Sequence, residues 1–319
     1  MVDSLAPTPL IKPHHAMRVL PSWGVAQLQM LGFSLHGAFL LLSSMAFALT
    51  GCLSYIFFRR TSQNTLACLA GSLLLLVPHW AMLIPLKTPY QASDAWVYVW
   101  TILTFYAVQK RAVHYLAIIS VLGILTRQNC FLLGGVAYLY LWTVMPDKWI
   151  PLLYLGLITA LYTGLSSFYG AKGALLHHIT PSSEIFNGHF WWFFIQDSHV
   201  LSLFTALLPW IFLARKQVLS LAQRYWYAVL YASLVMAQPF FAYAFTGYHN
   251  FVRIALQGSW VIYFLIVGSV VSQKLTHWQT GVLLLYSLML GGVWGDWPRL
   301  GMALIAGGAV WFVSRAASR

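Results

Sequence analysis

Acidic residues are nearly missing from this chain: six Asp and Glu stand among 319 residues, and all charged residues together make up 8%. A water-soluble domain carries about 25%. So few charges cannot clothe a water-facing surface of this size, so composition excludes a soluble globular fold and makes the bilayer the solvent for much of the chain. Cysteine is as sparse. Cys52, Cys68 and Cys130 are odd in number, lie in or beside apolar runs and form no C-x-x-C, which excludes a disulfide framework or a zinc site built on them. The first twenty residues lack the apolar stretch of a cleavable signal peptide, which leaves the first membrane helix as the insertion signal. No Walker loop, G-x-S-x-G, H-E-x-x-H or strand-borne G-x-G-x-x-G occurs, which argues against an ATP-driven pump, a hydrolase of that kind or a nucleotide-binding domain. Repeats of fixed period, low-complexity linkers and a soluble domain are also missing.

What the chain has instead is apolar length: 60% of its residues are hydrophobic. A spanning helix needs about 20 apolar residues. Eleven spans are expected, at about 32–58, 65–86, 95–109, 112–125, 128–145, 149–169, 199–214, 226–245, 251–271, 277–294 and 300–314. The expected fold is therefore all-α, a polytopic membrane bundle forming one transmembrane domain over 1–319. Residues 1–31 form an outer-face N-terminal segment, and 170–199 an outer loop with an interfacial aromatic helix. Ala112 to Met145 is one apolar stretch interrupted by Thr126-Arg127-Gln128-Asn129. As a single helix it would reach about 51 Å, too long for a ~30 Å core even when tilted, so two short helices meeting at Arg127 are expected.

The net charge of +12 would suggest nucleic acid in a soluble protein, but these cations sit singly or in pairs between apolar runs, as topology signals do. With the start of the first span outside, the inner loops hold eleven basic residues against Asp147 alone, and the outer segments hold seven basic against five acidic. Fusing 112–145 would move Arg215, Lys216 and Arg224 outside, so charge also favours the break. This topology puts the C-terminus in the cytoplasm. The lack of an N-x-Ser/Thr sequon in any expected outer loop points towards a bacterial cytoplasmic membrane.

The outer face collects five of the six acids and seven of the eleven histidines, so chemistry is expected there. Asp94 opens the third span, where it either caps a helix or serves as a catalytic carboxylate or metal ligand. Arg127 needs an anion, a set of carbonyls or the headgroup region, and its planar fork suits phosphate oxygens. Arg18 precedes the first span. Arg253 follows Tyr248-His249-Asn250, and each of these arginines is either a phosphate ligand or an interfacial anchor. The run Phe186 to Phe194 contains Phe190, Trp191 and Trp192, suited to the interface and to shielding a reaction or holding an acceptor.

Ser93-Asp94, an apolar span, Lys110-Arg111, a second apolar span and Leu125-Thr126-Arg127-Gln128-Asn129 follow one another in an order that resembles the central segment of the GT-C class of membrane glycosyltransferases. In that class a Ser/Thr-Asp/Glu pair opens one helix and a Thr-Arg or Ser-Arg turn follows two spans later. Ala16 to Pro21 is similar to an Arg-x-Leu-x-Pro stretch of some bacterial members. The resemblance covers about residues 16–145. It implies a polyprenyl-phosphate-linked sugar as donor, a lipid, glycan or protein acceptor, and Asp94, Arg127 and Arg18 as site residues. Either Asp94 or Asp3 would deprotonate an acceptor hydroxyl or hold a divalent metal, magnesium or manganese, against the donor phosphate. Arg127, with Arg18, Arg253 or His249, would bind that phosphate. The family begins with a membrane helix and an acidic outer loop, and the chain is expected to lack both, with Asp3 alone where those acids stand. Two other readings follow from the same residues: a transporter or flippase, for which few ionisable or helix-breaking residues lie deep in the spans (His79 and Pro239), and a non-catalytic membrane subunit related to a transferase. Besides the donor, membrane lipids are the expected partners, and nucleic acid is not.

Overall fold

A computed structural model describes residues 18–76, 92–169, 218–246, 248–273 and 275–290. The described residues are all-helical, without strands. The helices are α1 (Val19–Met30), α2 (Leu35–Arg59), α3 (Thr65–Leu76), α4 (Ala92–Gln109), α5 (Val113–Thr126), α6 (Asn129–Val144), α7 (Trp149–Phe168), α8 (Val218–Arg224), α9 (Trp226–Thr246), α10 (Tyr248–Val271) and α11 (His277–Leu290). Nine of them fall on expected spans, whereas 199–214 and 300–314 lie outside the described residues.

Two helices differ from the sequence reading. The expected outer segment 1–31 contains α1, and the expected loop after 214 contains α8. In α1, Pro21 occupies the third position, where the helix has no partner for a backbone amide and proline costs nothing. Pro21 and Val25 are buried, and α1 packs on α5. Among the described residues, two helices, α2 and α7, are long and apolar enough to cross a membrane, and Val113–Thr126, Asn129–Val144 and the Gln257–Val271 part of α10 are shorter apolar stretches. At 1.5 Å per residue, α5 and α6 reach only about 21 and 24 Å.

The chain forms two compact units, one from 1–50 and 83–180, the other from 51–82 and 181–319. In the first, α4, α5, α6 and α7 pack in sequence order, with α4 also touching α6 and α5 touching α7. The connections of two to four residues make each neighbour antiparallel to the last. The α4–α5 turn is closed by two bonds: the Arg111 amide donates to the Val108 carbonyl (3.0 Å) and the Ala112 amide to that of Ala107 (2.9 Å). These are the paired bonds of a left-handed helix stop, and Arg111 adopts φ 52° to make them.

In the second unit, α9 and α10 pack along their length, and α3 lies against α10 and α11. Its core is aromatic. Phe264 stacks on Phe58 (5.3 Å) and Trp260 (5.5 Å), and the Trp260 indole donates to the Leu75 carbonyl (3.1 Å). A Cβ at Gly258 would stand 2.6 Å from the Ala232 carbonyl oxygen, so only glycine lets α10 approach α9 this closely. The Asn64 side chain caps α3 by accepting from the Ala67 amide, as Ser34 caps α2 in the first unit by accepting from the Gly37 amide. Thr276 and Gln279 bond each other's amides reciprocally at the start of α11.

Candidate functional site

Asp94 lies sixteen residues before Lys110, and Arg127 sixteen residues after Arg111. With a tight turn between two antiparallel helices, equal arms end level, about 24 Å from the turn. The start of α4, the end of α5 and the start of α6 therefore meet at one end of the first unit. There the Asp94 carboxylate and the Arg127 guanidinium form an ion pair, with side chains only 4% and 5% exposed. The Ser93 hydroxyl, itself buried, donates to Asp94 Oδ1 (3.4 Å).

Each charge also suits the helix that bears it. Asp94 stands in the first turn of α4, the end of a helix dipole that favours an anion. Arg127 is the C-cap of α5, the end that favours a cation. The α5–α6 break is a single extended residue, Arg127 (φ −159°, ψ 136°), after which Gln128 is helical again. Both backbone groups of Arg127 are bonded. The Arg127 amide donates to the Gly123 carbonyl (2.7 Å), and its own carbonyl accepts from the Cys130 amide (3.0 Å).

The neighbours fix this bend. The Trp100 indole donates to the Thr126 hydroxyl (3.1 Å), which in turn donates to the Leu122 carbonyl (2.8 Å). Trp100 stacks on Trp96 one turn earlier in α4 (5.9 Å). A Cβ on Gly123 would lie 2.9 Å from that of Cys130, so the glycine is what lets α6 fold back against α5 directly after Arg127. Trp100 was not singled out from the sequence. The four-residue spacing of Trp96 and Trp100 marks a helix face, but nothing in the sequence aims that face at Thr126.

The chain matches no known protein family, no curated protein and no solved structure. The site's chemistry therefore has to be argued from its residues. A guanidinium binds carboxylate and phosphate through the same fork of donors. The fork that holds Asp94 has the donor set to hold a phosphate group in its place, and a carboxylate so displaced has a lone pair open to a proton. A divalent metal fits less well. Among the described residues no group of three His, Cys, Asp or Glu side chains gathers, and the one carboxylate of this cluster already faces a guanidinium, whose charge repels a dication.

The remaining expected site residues are placed as follows. Arg18 is the N-cap of α1, half-buried, and its carbonyl accepts from the Ser22 hydroxyl (3.0 Å). His249 and Arg253 belong to the first two turns of α10, in the second unit, and their side chains lie outside what is described. Asp3, Phe190, Trp191 and Trp192 lie outside the described residues.

Proposed function

We propose that the protein is an integral membrane glycosyltransferase that moves a sugar from a polyprenyl-phosphate donor to a lipid, glycan or protein acceptor, with the Asp94–Arg127 cluster as its reaction centre. The membrane part of this reading rests on α2 and α7. Only 17% of the most apolar stretch of α7 is buried inside the protein, too little for the core helix of a soluble domain. Trp149, Leu153 and Leu157 expose 83%, 63% and 54% of their surface along it, a face that suits acyl chains better than water. The eleven-span topology, a bacterial inner membrane and a cytoplasmic C-terminus remain parts of the proposal, with the cluster at the outer boundary.

The observation that carries the transferase reading is the meeting of one carboxylate and one guanidinium at adjoining helix ends. In the proposed reaction the donor phosphate displaces Asp94 from Arg127. The acceptor hydroxyl attacks the anomeric carbon, and its proton passes to the freed Asp94 carboxylate. The bond from that carbon to the phosphate oxygen breaks. The polyprenyl phosphate leaves with its charge held by Arg127, which strengthens its grip as charge develops.

The buried, closed state of the pair supports a second reading, a non-catalytic membrane subunit in which the pair is a structural staple. One experiment separates them. Membranes carrying the chain are given a labelled polyprenyl-phosphate sugar, and the variants Asp94→Asn, Arg127→Gln and the swap Asp94→Arg with Arg127→Asp are compared. The transferase reading expects each single variant to lose transfer by about 100-fold or more. It expects the swap to regain part of its stability but no transfer, because base and phosphate ligand have exchanged places. Transfer that survives both single variants overturns it.

A further inference from the structure

At the opposite end of the first unit, α7 bears a shallow apolar groove of about 600 Å³, lined by Trp149, Ile150, Leu152, Leu153, Gly156 and Leu157. Every lining residue is apolar or glycine, and the groove follows about 12 Å of the helix. An exposed cation stands at its mouth. Lys148 directly precedes Trp149 and holds its ammonium 6.0 Å over the Trp142 ring. The His114 Nδ1 and the Tyr154 hydroxyl meet at 2.6 Å, tying the first turn of α5 to the second of α7. That contact brings the exposed Lys110 and Arg111 of the α4–α5 turn to the same end. Asp147 is the one acid there among the described residues, against three cations. Tyr115, 70% exposed, adds to Trp142 and Trp149 an aromatic rim of the kind that sits at headgroup level.

We infer that this end of the protein is a binding site for an anionic phospholipid, the headgroup phosphate lying on Lys148, Lys110 and Arg111 and one acyl chain lying in the α7 groove. The inference rests on the membrane reading but not on the transferase reading. Charge complementarity selects the occupant: three cations against one carboxylate favour a headgroup with a net negative charge over a zwitterion, each cation contributing about fivefold near a membrane surface. A groove without polar lining takes a chain that offers no polar atoms. The other occupant this face would suit is a second copy of the chain, since Gly156, Ala160 and Gly164 recur at four-residue intervals on the exposed side of α7.

The test begins with alkaline extraction of membranes. A chain recovered in the wash sinks the membrane reading itself, and one kept in the pellet goes forward. The full chain in detergent is then titrated with phosphatidylglycerol and with phosphatidylcholine, and bound lipid and oligomer mass are read together by native mass spectrometry. The expected result is retention of phosphatidylglycerol about tenfold or more over phosphatidylcholine. Lys148→Gln combined with Lys110→Gln should remove most of that preference. Gly156→Leu, which places a side chain where nothing lies within 4 Å, should lower retention of phosphatidylglycerol with the melting temperature unchanged or raised. Equal retention of the two lipids, full retention by the Gly156→Leu variant, or a dimer that this variant abolishes would overturn the inference, the last by handing the groove to a second copy.

Discussion

Asp94 and Arg127 answer three costs at once: the desolvation of each other and the unpaired ends of two helices. Removing either partner leaves the other buried without its counter-ion. Asp94→Asn and Arg127→Gln are therefore expected to lose about 3–5 kcal/mol of stability each, measured by unfolding in detergent. The double variant that exchanges the two, Asp94→Arg with Arg127→Asp, should recover most of that loss but fall short by about 0.3–1 kcal/mol at each helix end, because both charges then oppose their dipoles. A different residue-scale feature sits at the α4–α5 turn, where Arg111 holds a left-handed backbone that costs a side-chain-bearing residue about 1 kcal/mol. Arg111→Gly should leave stability level or slightly higher, whereas Arg111→Val, β-branched at positive φ, should lower it by about 1–2 kcal/mol in the same assay.

At the scale of elements, the break at Arg127 was legible because an uninterrupted helix over 112–145 would overrun the bilayer, and because the charge balance agreed. The meeting of Asp94 with Arg127 was legible only in part. The equal arms on either side of Lys110-Arg111 set the two residues level, but which faces of α4 and α5 meet depends on Trp100, Thr126 and Gly123, and no sequence period reports that. Helix α1 escaped notice because Pro21, Ser22, Gln27 and Gln29 lower its hydropathy and it is too short to span; its burial against α5 is a tertiary fact. Close helix contacts were equally silent. Gly258→Ala drives a methyl into the Ala232 carbonyl oxygen and should cost about 1–3 kcal/mol. The reciprocal cap of α11 makes a smaller claim: Thr276→Ala should cost about 1 kcal/mol, and a double variant with Gln279→Ala should cost less than the sum of the two single ones.

For the whole molecule, composition predicts helices in lipid; the described residues form helices and no strands, and among them α2 and α7 are of crossing length. Hydropathy does not say which short helices stop inside the bilayer and which pair their ends to hold a polar cluster. In the first unit, the antiparallel order of α4 to α7 puts a buried ion pair at one end and a cationic, aromatic-rimmed groove at the other. On the proposed reading, the chain meets lipid phosphates at the grooved end, and Arg127 at the other end is the group a donor phosphate claims. The most direct test of that claim is the binding of a polyprenyl monophosphate to the purified chain, to Asp94→Asn and to Arg127→Gln. If Arg127 is the phosphate ligand, Asp94→Asn, which removes its competitor, should bind about tenfold more tightly than the unaltered chain, and Arg127→Gln should lose measurable binding. Equal affinity in all three proteins would contradict it and leave the pair as a structural staple between helix ends.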